Sequence, residues 1–126
     1  MPVLIDTHAF LWWCEDAPEL SQAARKAMTE HDCFVSFASF WEMSIKVSLD
    51  KLRLPAAVDR YIPDQMSRNG FEQLEISFRQ ISRVAKLAWV HRDPFDRMLV
   101  AQAQEEELPI VSRDPVFDAY GIERIW

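Results

Sequence analysis

The stretch Asp93-Pro94-Phe95-Asp96-Arg97-Met98-Leu99-Val100-Ala101-Gln102-Ala103, followed by Pro109-Ile110-Val111-Ser112, says most about the fold class. An aspartate before a helix accepts from the N–H groups left open in the first turn. Proline suits the next position, because its ring sets a helical φ and it has no N–H to leave unpaired. Asp93-Pro94 therefore opens a helix, which Met98, Leu99, Ala101, Gln102 and Ala103 carry to about Glu107. Pro109 to Ser112 is short and apolar and reads as a buried strand. A helix running straight into a buried strand is half of a parallel crossover unit.

The same alternation extends in both directions. Downstream, Pro115 to Tyr120 reads as a short helix and Ile122 to Ile125 as a further strand. Upstream, Val3-Leu4-Ile5 is a strand ending at Asp6, and Ala9 to Trp13 a helical turn. Ser21 caps a helix over Gln22 to His31, and Cys33 to Ser36 is the second strand. Ser39 caps a helix to about Leu49, with Trp41, Ile45 and Leu49 on one apolar face. Pro55 opens a helix to about Arg68 that Pro63 must kink or divide, and Asn69-Gly70 ends it. Phe71 to Ile76 is the third strand, and Ser77 begins a helix with Ile81, Val84 and Leu87 or Ala88 inward. The expected fold is α/β: a three-layer α/β/α sandwich around a mostly parallel five-stranded sheet, with residues 1–126 as one domain.

Composition narrows the function classes. At 126 residues, with 49% hydrophobic and 27% charged residues, the chain can bury one core and is not disordered. Cys14 and Cys33 form no metal or redox motif, and His8, His31 and His91 lack zinc-ligand spacing. A reducing cytoplasm is the expected compartment, with no leader and no apolar run long enough for a membrane span. The net charge of −6 argues against a generic nucleic-acid binder. It suits a protein that gathers carboxylates around a divalent cation, or one that meets a basic partner.

Four acids stand out by position. In an open parallel sheet, ligands bind beyond the carboxyl ends of the strands. Asp6 ends strand one, Glu42 sits one turn into the helix after strand two, Asp96 lies in the first turn opened by Asp93-Pro94, and Asp114 follows strand four. All four are expected on one edge. Carboxylates gathered there repel one another, and a hard cation with oxygen ligands, Mg²⁺ or Mn²⁺, relieves the conflict and suits phosphodiester hydrolysis. Each also has a structural reading: Asp6 as a cap, Glu42 paired with Lys46, Asp96 at the positive end of a helix, and Asp114 as a turn residue. Asp93 is explained by capping, and Asp118 by solvation or capping.

These segments resemble the PIN-domain family, specifically the VapC-like toxins of bacterial toxin–antitoxin pairs. The matching residues are Leu4-Ile5-Asp6-Thr7-His8-Ala9-Phe10-Leu11-Trp12, Ser39-Phe40-Trp41-Glu42-Met43-Ser44-Ile45-Lys46 and the Arg92 to Ala103 helix, then Pro109-Ile110-Val111-Ser112-Arg113-Asp114 with Tyr120-Gly121-Ile122 behind it. They span nearly the whole chain in family order. The resemblance implies an endoribonuclease dependent on Mg²⁺ or Mn²⁺, with Asp6, Glu42 and Asp96 as acidic metal positions and Asp114 as the fourth. It also implies a homodimer inhibited by a small antitoxin. Ser112-Arg113 departs from the commoner Thr-Ala, and Asp50 stands where many relatives have glycine.

Around the acids, Thr7 and Ser112 are candidates to orient a carboxylate or water, with backbone capping as the alternative. Lys46, Arg92, Arg97 and Arg113 are candidates to contact RNA phosphate, and for Lys46 and Arg97 a solvated helix face is the alternative. His8 and His91 are expected in structural or surface roles. Trp12, Trp13, Phe37, Phe40 and Trp41 are expected mostly in the core rather than as a base-stacking platform. The rival from another class is a PIN-like module that binds RNA or protein without cleaving, which predicts lost acids; none is lost. A receiver domain would want an aspartate after strand three, where Ser77 and Phe78 stand. A dehalogenase-like phosphatase would want two acids where Asp6-Thr7-His8 supplies one.

Overall fold

The computed structural model describes residues 1–126. Its elements alternate along the chain: β1 (Val3–Ile5), α1 (Thr7–Cys14), α2 (Gln22–Glu30), β2 (Cys33–Ser36), α3 (Phe37–Ser48), α4 (Val58–Asn69), β3 (Glu72–Leu74), α5 (Phe78–Val84), α6 (Pro94–Glu106), β4 (Ile110–Val111), a 3-10 helix (Pro115–Tyr120) and β5 (Arg124–Ile125). The five strands form one parallel sheet in the order β3-β2-β1-β4-β5, with Leu4 opposite both Phe34 and Ile110. The chain lays β2 and β3 on one side of β1, then returns to place β4 and β5 on the other. The direction of winding reverses between β1 and β4, where open parallel sheets leave a crevice.

Strand side chains alternate between faces, and two cores result. Val3, Ile5, Cys33, Val35 and Val111 pack with Phe10 of α1, Met28 of α2 and Ile62 and Met66 of α4. Leu4 and Ile110 pack with Leu99 and Val100 of α6 and with Phe117, joined by Phe34 and Leu74. The three-layer sandwich expected from the sequence is the one observed. Cys14 and Cys33 are free, and burial pushes both thiols up to about 12. No helix is long and apolar enough to cross a membrane.

The start and stop signals hold where side-chain chemistry dictates them. Asp93 Oδ1 accepts from the N–H groups of Phe95 and Asp96, with Pro94 next to it. Ser21 accepts from Ala24 N–H, and Ser77 with Gln80 makes a reciprocal capping box. Gly70 (φ 65°) closes α4 in the left-handed region, and Asp50 (φ 60°) adopts the same conformation after α3.

Four expectations need correction. Helix α3 is capped by Ser36, whose Oγ accepts from Ala38 N–H, so it begins three residues before the expected start after Ser39. Strand β2 runs into that cap without a loop, which no spacing in the sequence announces. The face presented to the protein is then Ala38, Ser39, Glu42 and Met43, while Trp41 and Leu49 are exposed and Ile45 is half-buried. Helix α4 starts at Val58 rather than Pro55 and passes through Pro63 unbroken. Asp59, whose carbonyl Pro63 leaves without a helical donor, lies on the exposed face. Helix α5 turns Gln80 inward and leaves Ile81 exposed, because Gln80 binds Glu106 and Gln102 across the α5–α6 contact.

Candidate active site

Asp6 follows β1 and is buried at the β1–β4 boundary, its N–H donating to Val111 C=O. One carboxylate oxygen accepts from Ala9 N–H at 2.8 Å and caps α1, while the other accepts from Ser112 Oγ at 2.6 Å. The capping role and a place at the site are thus filled by different oxygens of one side chain. Burial pushes this carboxyl up; the Ser112 and Ala9 donors and His8 oppose that, and Glu42 adds to it. Ser112 is fully buried, and its Oγ also accepts from Asp114 N–H at 3.1 Å. One hydroxyl therefore ties Asp6 to the loop that carries Asp114. Asp114 itself is exposed and caps the 3-10 helix by accepting from Val116 N–H.

Glu42 is buried in the second turn of α3, a turn further in than expected because the helix starts earlier. Its Oε1 accepts from Thr7 Oγ1 at 2.6 Å and its Oε2 from Lys46 Nζ at 2.7 Å. Asp96 sits in the first turn of α6, its side chain about a quarter exposed at 27%. Burial first, then the negative charges of Asp93, Glu42, Asp6 and Asp114, push its carboxyl up to about 7. Helices α3 and α6 and the ends of β1 and β4 thus bring all four acids within electrostatic reach of one another.

Behind Asp96 lies a network that sequence reading did not anticipate. Arg97, expected as a phosphate contact, is buried and structural. Its Nη1 donates to Ala88 C=O at 2.8 Å and to Tyr120 Oη at 3.1 Å, and its guanidinium lies 4.0 Å from the Trp89 ring centre. The physical reason is local. The segment after α5 has no regular structure to pair its carbonyls, and one planar fork of donors can gather several of them. Arginine can only donate, so the Tyr120 hydroxyl accepts from it, and the same hydroxyl lies 2.7 Å from His91 Nδ1. The other ring nitrogen of His91, Nε2, faces Asp96 Oδ2 at 3.5 Å. Removing the hydroxyl in Tyr120→Phe strands an Arg97 donor and His91, and is expected to lower stability by about 1 kcal/mol in urea unfolding.

An open groove of about 340 Å³ lies over Asp6 and Asp114, lined also by His8, Trp12, Arg113 and Pro115. Thr7 and Ser112 are buried beneath the acids as carboxylate partners of Glu42 and Asp6, Arg113 is exposed on the groove's rim, and Lys46 pairs with Glu42. Arg92 is exposed beyond the start of α6, and Asp118 pairs with Arg124. His8 and Trp12 are the lining residues that sequence reading left to surface and core. Their only sequence signal is adjacency to Asp6 and one helical turn between them.

The donor set can be tested against a divalent cation. No three acidic, histidine or cysteine side chains converge as a ready cage. Asp6 and Glu42 spend oxygens on Ala9, Ser112, Thr7 and Lys46. Magnesium, however, keeps several waters and needs only one or two carboxylates directly. The ligands are all oxygen, and burial together with the surrounding negative charge lifts the Asp96 carboxyl to about 7. The residues fit a hard divalent ion.

Comparison with known proteins agrees with this architecture. A search of curated proteins returns no significant match. Among solved structures, the chain superposes on VapBC2 from Rickettsia felis bound to a DNA fragment from its promoter, with 12% identity, all of both chains covered and a TM-score of 0.73. It superposes on FitAcB from Neisseria gonorrhoeae with 16% identity, 98% and 96% of the two chains covered and a TM-score of 0.67. A toxin–antitoxin complex from Klebsiella pneumoniae gives 17% identity, 90% and 87% covered and a TM-score of 0.59. At these identities the likeness is one of fold. The PIN-domain family model matches residues 3–123, so with its parallel sheet and the acids at its winding reversal, this chain belongs to the PIN-domain family.

Proposed function

We propose that the protein is an endoribonuclease dependent on Mg²⁺ or Mn²⁺, hydrolysing RNA phosphodiester bonds at the cluster of Asp6, Glu42, Asp96 and Asp114. The observation that carries this is the gathering of Asp6, Glu42, Asp96 and Asp114 at the winding reversal between β1 and β4, where burial and then their mutual charge lift the Asp96 carboxyl. PIN domains are generally nucleases, which supports a hydrolase. A bound divalent ion would supply charge neutralisation and a water of lowered pKa.

The chain's own residues do the rest. Asp6, Glu42, Asp96 and Asp114 are the carboxylates that would hold the ion. Glu42 is held in place by Thr7 and Lys46, and Lys46 also offsets its charge. Ser112 fixes Asp6 and the Asp114 loop in one geometry. Arg113 offers a cation to the RNA backbone.

Toxin–antitoxin complexes among the structural neighbours support a role as the growth-inhibiting toxin of such a pair. On this proposal the protein works in the cytoplasm as a homodimer and is neutralised by a small antitoxin whose basic segment complements the net charge of −6.

Purified protein incubated with RNA should cleave it with Mg²⁺ or Mn²⁺ and not with chelator. Asp6→Asn keeps the Ala9 cap but removes the charge, and should lower cleavage by at least about 100-fold. Cleavage that survives Asp6→Asn, or none by the wild type under any divalent ion, would overturn the nuclease and favour a binding module.

A further inference from the structure

Beside the acids lies a feature that the proposed hydrolysis does not use. The His8 ring stacks on Trp12 with centroids 5.3 Å apart and planes inclined by 28°. His8 is exposed, while Trp12 is half-buried and braced from behind by Trp126, its centroid 5.7 Å away. The pair is thus a fixed aromatic surface with one open side.

Two hollows meet at this pair. One is the groove over Asp6 and Asp114, shared with Arg113. The other, of about 280 Å³, is lined by Thr7, Lys46 and Lys51 among others, and His8 and Trp12 belong to both. Arg113 approaches Trp12 from the acidic side, its guanidinium 5.9 Å from the ring centre. Lys46 is held by Glu42, but neither Lys51 nor Arg113 is in an ion pair. Two cations outside any ion pair thus flank an aromatic stack, with Glu15 also lining the second hollow, an arrangement that suits an anionic ligand carrying a flat ring.

Resting on the nuclease proposal and deepening it, we infer that His8 and Trp12 form a stacking platform for a base of single-stranded RNA next to the scissile phosphate, with Arg113 and Lys51 holding the phosphates on either side. Each part matches what such a strand presents. Every base has a π-face that stacks on an aromatic ring without hydrogen-bond readout, and successive phosphates need cations spaced along the path. A base that is paired and stacked inside a duplex has no free face to offer His8. The platform therefore selects unpaired RNA and tolerates sequence.

The test is binding of a fluorescein-labelled oligoribonucleotide to the Asp96→Asn protein by anisotropy, where cleavage does not interfere. His8→Ala removes an exposed ring without disturbing the core and should weaken binding about 10-fold, the size of one lost stack. His8→Phe should restore most of it, which a loss of charge or of fold would not allow. Lys51→Ala and Arg113→Ala should each reduce the salt dependence by about one phosphate contact. A hairpin duplex of the same length should bind more weakly than the single strand. Wild-type-like binding by His8→Ala overturns the platform. So does a His8→Ala change that appears only as altered self-association in sedimentation velocity, because that assigns the surface to a second copy.

The two proposals fail separately. Binding that depends on His8 without any cleavage by the wild type removes the nuclease and leaves the platform. Cleavage with unchanged KM in His8→Ala removes the platform and leaves the nuclease.

Discussion

Asp96→Asn is expected to abolish RNA cleavage and, at the same time, to make the metal-free protein more stable at pH 8. The carboxyl of Asp96 is lifted to about 7 by burial and by the acids around it, against an ordinary value of 3.8. Between those two values the folded protein keeps a proton that the unfolded chain has released. Stability therefore falls as pH rises from about 4 to about 7, and stays low above that. At about 1.4 kcal/mol per unit, and allowing for the exposed quarter of the side chain, the loss is about 2–4 kcal/mol. Asparagine keeps the shape without the charge and escapes the loss. Urea unfolding at pH 5 and pH 8 should show the two proteins close together at the lower pH and the variant ahead at the higher. An equal difference at both would mean that the charge of Asp96 is not what strains the fold. Added Mg²⁺ should raise the wild-type melting temperature and have little effect on the variant, because binding to the folded state is what supplies the gain. Such a trade of stability for a charged site is what a catalytic cluster costs.

Arg97→Ala should have the opposite profile: a large loss of stability with no acid removed. The guanidinium is buried and donates to Ala88 C=O and the Tyr120 hydroxyl, with longer contacts at 3.5 Å to the carbonyls of Val84, Leu87 and His91. It also lies against the Trp89 ring. Truncation leaves these acceptors without a donor and an empty volume in place of the side chain. The expected cost is about 3–5 kcal/mol. Arg97→Lys should recover only part of it, because an ammonium has no planar fork to span Ala88 and Tyr120 together. Limited proteolysis should place the first new cleavage between Ala85 and Arg92, the segment whose carbonyls Arg97 gathers. If Arg97→Ala unfolds at the wild-type urea concentration, the residue is free for the surface role that the sequence suggested.

How much of this was legible in the sequence depends on range. Asp93-Pro94, Ser77 with Gln80, and Gly70 act on backbone groups within a few residues, so the elements they bound are where local chemistry puts them. The parallel sheet followed from the alternation of those elements. Helix α3 was misplaced because Ser36 is at once the last residue of a strand and a cap, and Ser39 is as good a cap by type. Its shift rotated the helix and turned Trp41 outward. The positions of Asp6, Glu42, Asp96 and Asp114 could be read, because each sits at the end of a strand or the start of a helix. Their partners could not. That Thr7 donates to Glu42 and Ser112 to Asp6 depends on side chains meeting across 35 and 106 residues. Arg97 shows the same limit. A charged residue four positions after a cap looks solvated until the path of the preceding segment is known.

The central place of β1 has a consequence for when the protein can first act. The strand made earliest is flanked by β2 and by β4, and the latter is completed only at Val111. A chain emerging from the ribosome must hold Asp6 unpaired on that side until more than a hundred further residues have been added, which at ordinary synthesis speeds takes roughly 5–20 s. Until β4 arrives, Asp6 has no Ser112 and the acidic groove has no floor. No shorter intermediate, stalled chain or early termination product can assemble the groove. The order of translation itself delays any activity that the folded protein carries until synthesis has passed Asp114.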